Sequence, residues 1–448
     1  MNFPEAVRYL LSLGRELAAP TQASAAKFNL ENIAMLAAHL GHPERNYPSA
    51  HIAGTNGKGS TAAFLESILR IAGRRSGLYT SPHLERINER IRVCGQEIPD
   101  ELFAGVFSRL HALVEKLLAD GTLRAHPTFF ECVTAMAFLH FAEAGVDFAV
   151  FETGLGGRLD STNIITPEIS IITRIEFDHE DFLGHSLPEI SGEKAGIIKP
   201  KVPVVMAEQR EEAREVLLKT AHSRQSPVIE TAEACRIDSL WTEEGYVRAD
   251  VREKQSGRII HLAPQLAGRF QLENALTAVA ASQVLRSRGF PIDERAIERG
   301  IAAAVWPGRI EKIHSRPAIY LDGAHNPSAA RQLAAFLAEN LAGKRVFMLF
   351  GVLRDKAVDE IAGSLFPHAA QVIFTAPQTT RALSAKELAA IAGHHAAGFE
   401  IIPDADQALD AALARAAPDD VIVVTGSLYL IGQLRGRLLR GSGLLVST

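Results

Sequence analysis

HIAGTNGKGS, residues 51–60, has the ingredients of a phosphate-binding loop at an unusual spacing. The common P-loop keeps four residues between its first glycine and the Gly-Lys pair, and Ser or Thr follows the lysine directly. Here only Thr55 and Asn56 separate Gly54 from Gly57-Lys58, and Gly59 intervenes before Ser60. The flanks are those a phosphate loop needs. Residues 50–53 end a short extended run, and TAAFLESILRIAG (61–73) carries apolar residues at helical spacing up to Gly73. Glycines at 54, 57 and 59 allow close backbone approach, so N–H groups at a helix start can surround phosphate oxygens. Lys58 adds a point charge, and Ser60 or Thr61 is placed to reach a magnesium ion. Taken alone, the stretch also fits an ordinary glycine-rich turn.

The same rhythm of strand and helix continues outward. Short apolar runs stand at DFAVFET (147–153), ISIITRI (169–175) and VPVVMAE (202–208), as expected of a parallel α/β sheet. Over 208–264 the pattern weakens into short polar runs such as YVRADVREKQSGRIIHL, which read as hairpins. QLENALTAVAASQVLRSRG (271–289) restores a helix, and DERAIERGIAAAVWPGRIE (293–311) leads into a second unit. There AIYLDGAHN, VFMLFGV, QVIFTAP, FEIIPDA and VIVVTGSL read as five strands. The expected domains are 1–305, carrying the nucleotide loop, and a C-terminal α/β domain, 306–448.

Composition narrows the class. A chain of 448 residues, 47% hydrophobic and 22% charged, can bury a large core. Its net charge of -5 offers no basic footprint for nucleic acid. Cys94, Cys132 and Cys235 are too few and scattered for a disulfide framework or a zinc site, which suits a reducing cytoplasm. The N-terminal MNFPEAVRYLLSLGRELAAP lacks the basic start and unbroken apolar run of a signal peptide. No stretch approaches the ~18 apolar residues of a membrane span.

Two further strand ends carry chemistry. FETGLGGRLDSTNII (151–165) places Glu152 at the carboxyl end of an apolar run, followed by three glycines, Arg158, Asp160 and Asn163. IITRIEFDHEDFLG (171–184) ends its strand in Asp178 and His179. Ligands of open parallel sheets bind outside the carboxyl ends of strands, where a carboxylate is well placed for a metal. A lone Asp or His is more often a loop or capping residue, but three such ends together point to a site.

GTNGKGS, GLYTSPHL, ETGLGGRLDSTN, DH followed by FLG, GEKAGIIKP, QLENA, WPGR, LDGAHNP and SLYLIG occur in this order. In that order they resemble folylpolyglutamate synthases and bifunctional dihydrofolate synthases of the Mur ligase superfamily, which use the short loop with glycine after the lysine. The resemblance implies a P-loop-type Mur ligase central domain with a largely parallel sheet and a smaller Rossmann-like C-terminal domain. It implies ATP-dependent formation of an amide bond to L-glutamate through an acyl phosphate.

On the matching positions, Thr55, Asn56, Gly57 and Lys58 hold the phosphates, while Ser81, Glu152 and His179 reach magnesium. Ser60 is a further candidate ligand. Lys194 in GEKAGIIKP is implied to be carbamylated, because a free ammonium would repel the metal. Lys199, by contrast, reads as a solvated surface lysine. Asn274 resembles a nucleotide contact. Arg309, placed to stabilise the transferring phosphoryl group, joins Asp322 and His325 as the C-terminal domain's contribution to the ATP site. That domain is also expected to bind glutamate. The pterin side maps onto Thr128, Phe129, Phe130 and Glu131, and onto Leu159, Asp160 and Ser161; a Phe pair at a helix start is otherwise ordinary core. LGRELAAPTQASAAKFNLENI (13–33) departs from the family by extra residues where a substrate-covering loop is expected. The expected partners are small molecules, the expected state a cytoplasmic monomer. Peptidoglycan Mur ligases usually carry a sizeable domain before the loop, and only about 50 residues precede Gly54 here. A nucleotide switch that ligates nothing is the alternative of a different class.

Overall fold

The computed structural model describes residues 1–14 and 29–441, so most of the stretch expected to carry extra residues lies outside the described residues. The chain divides into two compact units. The first comprises Met1–Leu240, Ala249–Ala263 and Glu273–Ala304, the second Trp241–Arg248, Pro264–Leu272 and Val305–Thr448. The chain thus passes between units more than once, where the sequence suggested one boundary.

The first unit is built on eight strands: β1 (Ser49–Ala53), β2 (Ser76–Tyr79), β3 (Ile91–Val93), β4 (Gln96–Glu97), β5 (Phe148–Glu152), β6 (Ile169–Ile172), β7 (Val204–Met206) and β8 (Val228–Glu230). Their order is β4-β3-β2-β5-β1-β6-β7-β8. From β2 to β8 all pairs are parallel, and β3 and β4 form an antiparallel edge. β1 and β5 are buried from end to end, the mark of parallel strands covered on both faces. β1 connects towards β2 while its neighbour β6 connects towards β7. Loops leaving their carboxyl ends therefore part in opposite directions and open a crevice there.

Register brings these ends level. Ile52 pairs with Glu152 and Ile171, and Tyr79 pairs with Phe151. One core cluster gathers Tyr79, Phe103, Phe107, Phe138, Phe141 and Phe151, and a second gathers Ile172, Ile190, Ile197, Met206 and Leu217.

The region 208–264 corrects the hairpin reading in part. It opens with a helix, Glu211–Ser223, whose buried Ala213, Leu217 and Ala221 are spaced one turn apart. β8 follows, and only then come the strands β9 (Cys235–Glu243), β10 (Tyr246–Glu253) and β11 (Ile259–Leu262), in the order β11-β10-β9 with β10 and β11 antiparallel.

The second unit's sheet has β12 (Glu311–Ser315), β13 (Ala318–Leu321), β14 (Val346–Phe350), β15 (Gln371–Ala376), β16 (Phe399–Asp404) and β17 (Val421–Thr425). The order is β12-β13-β17-β14-β15-β16, parallel except for β12. All five expected strands are present. β12 (EKIHS) has a single apolar residue, so it lacks the apolar signature by which the others are read.

The helix after the loop, Lys58–Ile71, is buried over Gly59–Leu69. Helix Glu294–Ala303 crosses it so closely that a Cβ on Gly300 would stand 2.5 Å from Ile68 Cα. Glycine to alanine inside a helix ordinarily stabilises by about 1 kcal/mol. Here the crowded atom is backbone and cannot step aside, so overpacking of roughly 1–3 kcal/mol prevails. Gly300→Ala is expected to lower the melting temperature; an unchanged or raised value contradicts the close crossing.

Candidate functional site

The loop after β1 is fixed from two sides by groups of its own unit. The amides of Thr55 and Asn56 both donate to the carbonyl of Arg174, at 2.9 and 3.2 Å. Thr55 Oγ1 donates to the Glu176 carbonyl at 2.9 Å and accepts from the Glu176 amide at 3.0 Å. Those two loop amides are thus committed to anchoring the loop. The amides that begin helix Lys58–Ile71 are the ones a helix leaves without internal acceptors. Gly57, the N-cap, has φ 87 and no side chain to close that end. A Cβ on Gly57 would lie 2.2 Å from Asn274 Oδ1, and one on Gly54 would lie 1.9 Å from Thr173 Oγ1. Only glycine lets the backbone come this near on both sides.

Two lysines converge on one oxygen. Lys58 Nζ donates to the Gly54 carbonyl at 3.2 Å and to the Thr55 carbonyl at 3.3 Å. Lys194 Nζ, from the last turn of helix Leu187–Ala195, donates to the same Gly54 carbonyl at 2.8 Å. Lys194 is buried, and that burial, followed by the charge of Lys58, pushes its pKa down to about 7 against the opposing pull of Asp178 and Asp160. Near neutral pH a large share of Lys194 is therefore the uncharged amine.

The remaining metal-type residues occupy neighbouring strand ends. Beyond β2, the Ser81 amide donates to Glu152 Oε2 at 3.1 Å, which orients this buried carboxylate at the end of β5. Beyond β6, His179 has φ 52 and its amide donates to Asp178 Oδ1 at 2.9 Å. Ser60 and Thr61 are buried in the first turn after the loop.

The pterin-side residues divide. Thr128 and Glu131 form a reciprocal cap for helix Phe129–Glu143, with the Thr128 amide and hydroxyl donating to Glu131 Oε2 at 2.7 and 2.8 Å. Phe129 belongs to the core, with the Arg90 guanidinium 5.2 Å over its ring. Asp160 is buried and accepts from the amides of Gly154, Leu155 and Thr162 and from the Thr162 hydroxyl. Burial pushes the Asp160 carboxyl up, and these donors hold it down. It shapes the glycine loop after Glu152. Ser161 is buried, whereas Phe130 and Leu159 are half-buried, and the Phe130 ring packs on Gly154.

In the second unit, Asp322 accepts from the amides of Ile310 and Ala324, both at 2.9 Å. Burial raises its pKa, with Arg309 and those amides opposing. Arg309 Nη1 donates to the Gly308 carbonyl at 3.0 Å and also passes over Gly323, where a Cβ would lie 2.9 Å from it. His325 donates from Nδ1 to the Gly323 carbonyl at 2.7 Å. The three expected residues are therefore gathered at the carboxyl end of β13.

Sequence reasoning missed the supports. Arg174 and Glu176 pair at 3.1 Å, with Arg210 at 3.6 Å from the same carboxylate, and hold the segment that anchors the loop. His51 is wholly buried, its pKa pushed down to about 3 by burial and by Lys199. Because Thr162 gives its proton to Asp160, His51 Nε2 must donate to Thr162 Oγ1, at 2.8 Å. A polar residue in the middle of an otherwise apolar strand was the available signal. Lys199 is also not a solvated surface group: it donates to the Asn163 carbonyl at 2.7 Å, and burial, then Arg224, pushes its pKa to about 8.

Gly57→Ala tests the loop. A left-handed backbone costs a side chain about 1–2 kcal/mol, before any clash with Asn274. ATP affinity is expected to fall by roughly tenfold or more, since 1.4 kcal/mol is one factor of ten. Adding Asn274→Gly should recover only the part due to the clash. Wild-type ATP affinity in Gly57→Ala contradicts this geometry.

Comparison with known proteins agrees with the fold. Residues 52–282 match the Mur ligase middle domain and 308–428 the Mur ligase glutamate ligase domain. The dihydrofolate synthase/folylpolyglutamate synthase of Bacillus subtilis is 36% identical over 416 residues, spanning 92% of this chain and 95% of the relative. Folylpolyglutamate synthase of Mycobacterium tuberculosis complexed with ADP superposes with a TM-score of 0.88 at 32% identity, covering 97% of this chain and 98% of that one. FolC of E. coli in complex with DHPP and ADP gives a TM-score of 0.84 at 30% identity, with 99% of each chain covered. The chain belongs to the folylpolyglutamate synthase/dihydrofolate synthase family of Mur ligases.

Proposed function

We propose that this ATP-dependent ligase joins the amino group of L-glutamate to a carboxylate of dihydropteroate, of a reduced folate, or of both, through an acyl phosphate. The observation that carries the reading is the convergence of Lys58 and Lys194 on the Gly54 carbonyl, beside the strand ends that bear Ser81, Glu152 and His179. A carboxylate oxygen attacks the γ-phosphorus of ATP and ADP leaves. The glutamate nitrogen then attacks the acyl carbon, expels phosphate and gives up a proton. The first step sets an anion against a polyanion, so positioned positive charge and aligned reactants supply most of the rate. Lys58 and the amides that open its helix hold the phosphates, with Thr55, Asn56 and Asn274 shaping that cradle. The complexes of relatives with ADP, and with DHPP and ADP, support a nucleotide and a folate-type substrate.

Magnesium suits the donor set. The carboxylate of Glu152 and the hydroxyls of Ser60 and Ser81 are hard oxygen donors, joined by the imidazole of His179. Bound there, it supplies the charge that offsets carboxylate–phosphate repulsion. Lys194 suits a cation only as a carbamate. Its uncharged amine attacks carbon dioxide, forming an N–C bond and losing a proton, which leaves an anionic carboxylate-like group. The low pKa of Lys194 supports this, because an amine exists to react near neutral pH.

The second unit is assigned nucleotide handling by Arg309, held near Asp322 and His325, together with glutamate binding. The pterin side is assigned to the segments of Thr128, Phe129, Phe130 and Glu131 and of Leu159, Asp160 and Ser161. In these Phe130 and Leu159 face the ligand and the others hold the frame. The chain is taken to act as a cytoplasmic monomer on small molecules. A non-ligating ATP switch is disfavoured because phosphate binding alone gives no reason for Glu152, His179 and Lys194 to stand beside the loop.

The purified chain with ATP, magnesium and L-glutamate should release ADP only when dihydropteroate or a reduced folate is added, and should form the amide product. ADP release indifferent to acceptor contradicts the ligase reading. Lys194→Ala should lower turnover about a hundredfold or more, the scale of a lost electrostatic contact at a reacting charge. A short carboxylate in solution should partly restore it, and Lys194→Arg should remain inactive because guanidinium stays positive. In the wild type, turnover should fall as pH drops through about 7, where Lys194 takes up its proton. Full activity of Lys194→Arg contradicts the carbamate.

A further inference from the structure

We propose that Asp359, His394 and His395, on the second unit, form a binding site for a borderline divalent cation of the zinc class. Their ligand atoms all lie within 4.8 Å of one another. His395 Nε2 is 2.9 Å and His394 Nε2 3.5 Å from Asp359 Oδ1. A tetrahedral ion with bonds of about 2.0–2.1 Å places its ligand atoms roughly 3.3 Å apart. One distance must therefore open and the other close by a few tenths of an ångström. Both imidazoles present the same nitrogen type to one carboxylate oxygen, and their rings lie 3.9 Å apart at 38°.

The supporting structure is regular. Asp359 lies in the first turn of helix Val358–Leu365, and the histidines form the 3-10 turn Gly393–His395 at the end of helix Ala385–Ala392. The His395 ring packs on that first helix at Gly363, 3.3 Å from where a Cβ would stand. Beneath, Ile361, Leu365, Leu388 and Ala392 are buried in the unit's core. Stabilisation of a helix start accounts for an aspartate at 359 and a hydrogen bond to it for His395, but neither accounts for a second imidazole, His394, facing the same oxygen. A divalent ion takes a lone pair from each ring together with the carboxylate. Two imidazole nitrogens and one oxygen favour zinc-class ions over magnesium or calcium. Asp359 and His394 are exposed, so the remaining coordination positions face solvent. The ion clips a helix to the turn that precedes β16 and is separate in chemistry from the magnesium-type oxygen set at the nucleotide loop.

The test is calorimetric titration of the full chain with Zn2+ in a buffer saturated with Mg2+, paired with Co2+ titration followed by visible absorption. One equivalent of Zn2+ should bind, and Co2+ should show nitrogen–oxygen ligation without a thiolate charge-transfer band. Even outer-shell changes weaken metal sites by about 10–100-fold, so His394→Ala and Asp359→Asn should each cost roughly tenfold or more. His395→Ala should cost more still. His394→Ala removes an exposed side chain, and its melting temperature in chelator should match the wild type. The absence of saturable Zn2+ binding overturns the proposal, as does a Co2+ spectrum with thiolate ligation. Unchanged affinity in His394→Ala and Asp359→Asn does the same.

Discussion

The Gly54 carbonyl oxygen accepts from two lysine side chains, and the rest of the site is arranged around that crowding. Two ammonium groups so near each other are mutually destabilising, and the pKa of Lys194 is depressed first by its burial and then by the charge of Lys58. Anions relieve it. A triphosphate can answer Lys58, and a proton lost from Lys194 removes the second charge altogether. The loop is therefore poised for negative charge before any ligand arrives, which is what preorganised electrostatic catalysis demands.

That poise requires the backbone to hold still at short range. Residue 54 lies against Thr173 and residue 57 against Asn274, each closer than a side chain permits. The carbonyl of Arg174 holds two successive loop amides, and Arg174 is itself held by Glu176. Level register then sets the ends of β2, β5 and β6 beside the loop, so residues far apart in sequence meet without long side-chain excursions. The glycine loop after Glu152 is shaped in the same way, from beneath, by Asp160, Thr162 and His51. A buried neutral histidine is suited to this task because it brings a hydrogen bond without bringing a charge.

Much of this was legible in the sequence, for identifiable reasons. Buried parallel strands are apolar runs, so β1, β5, β6, β7 and, in the second sheet, β13, β14, β15 and β17 announce themselves; the exposed edge strand β16 still carries Phe399, Ile401 and Ile402, whereas the other edge, β12, carries only one apolar residue. The helix Glu211–Ser223 carries small apolar residues on one stripe within a charged surface, and a weak stripe is easily passed over. The chemistry-bearing residues stood out because carboxylates, lysines and histidines at strand ends need an explanation. Their supports did not stand out. The T-x-x-E spacing of Thr128 and Glu131 is a local capping signal that was passed over. Nothing local tells that Thr55 is anchored by a carbonyl more than a hundred residues away, or that Lys199 is drawn inward onto Asn163. Those two contacts exist only once the sheet has set its register.

The central claim is that the site activates a carboxylate by phosphorylating it. Acceptor labelled with oxygen-18 in its reacting carboxylate group, turned over by the purified chain with ATP and L-glutamate, tests this directly. Mass analysis of the released phosphate should show one labelled oxygen per product formed, carried across in the acyl phosphate. Phosphate free of label, with amide product still forming, would contradict the account.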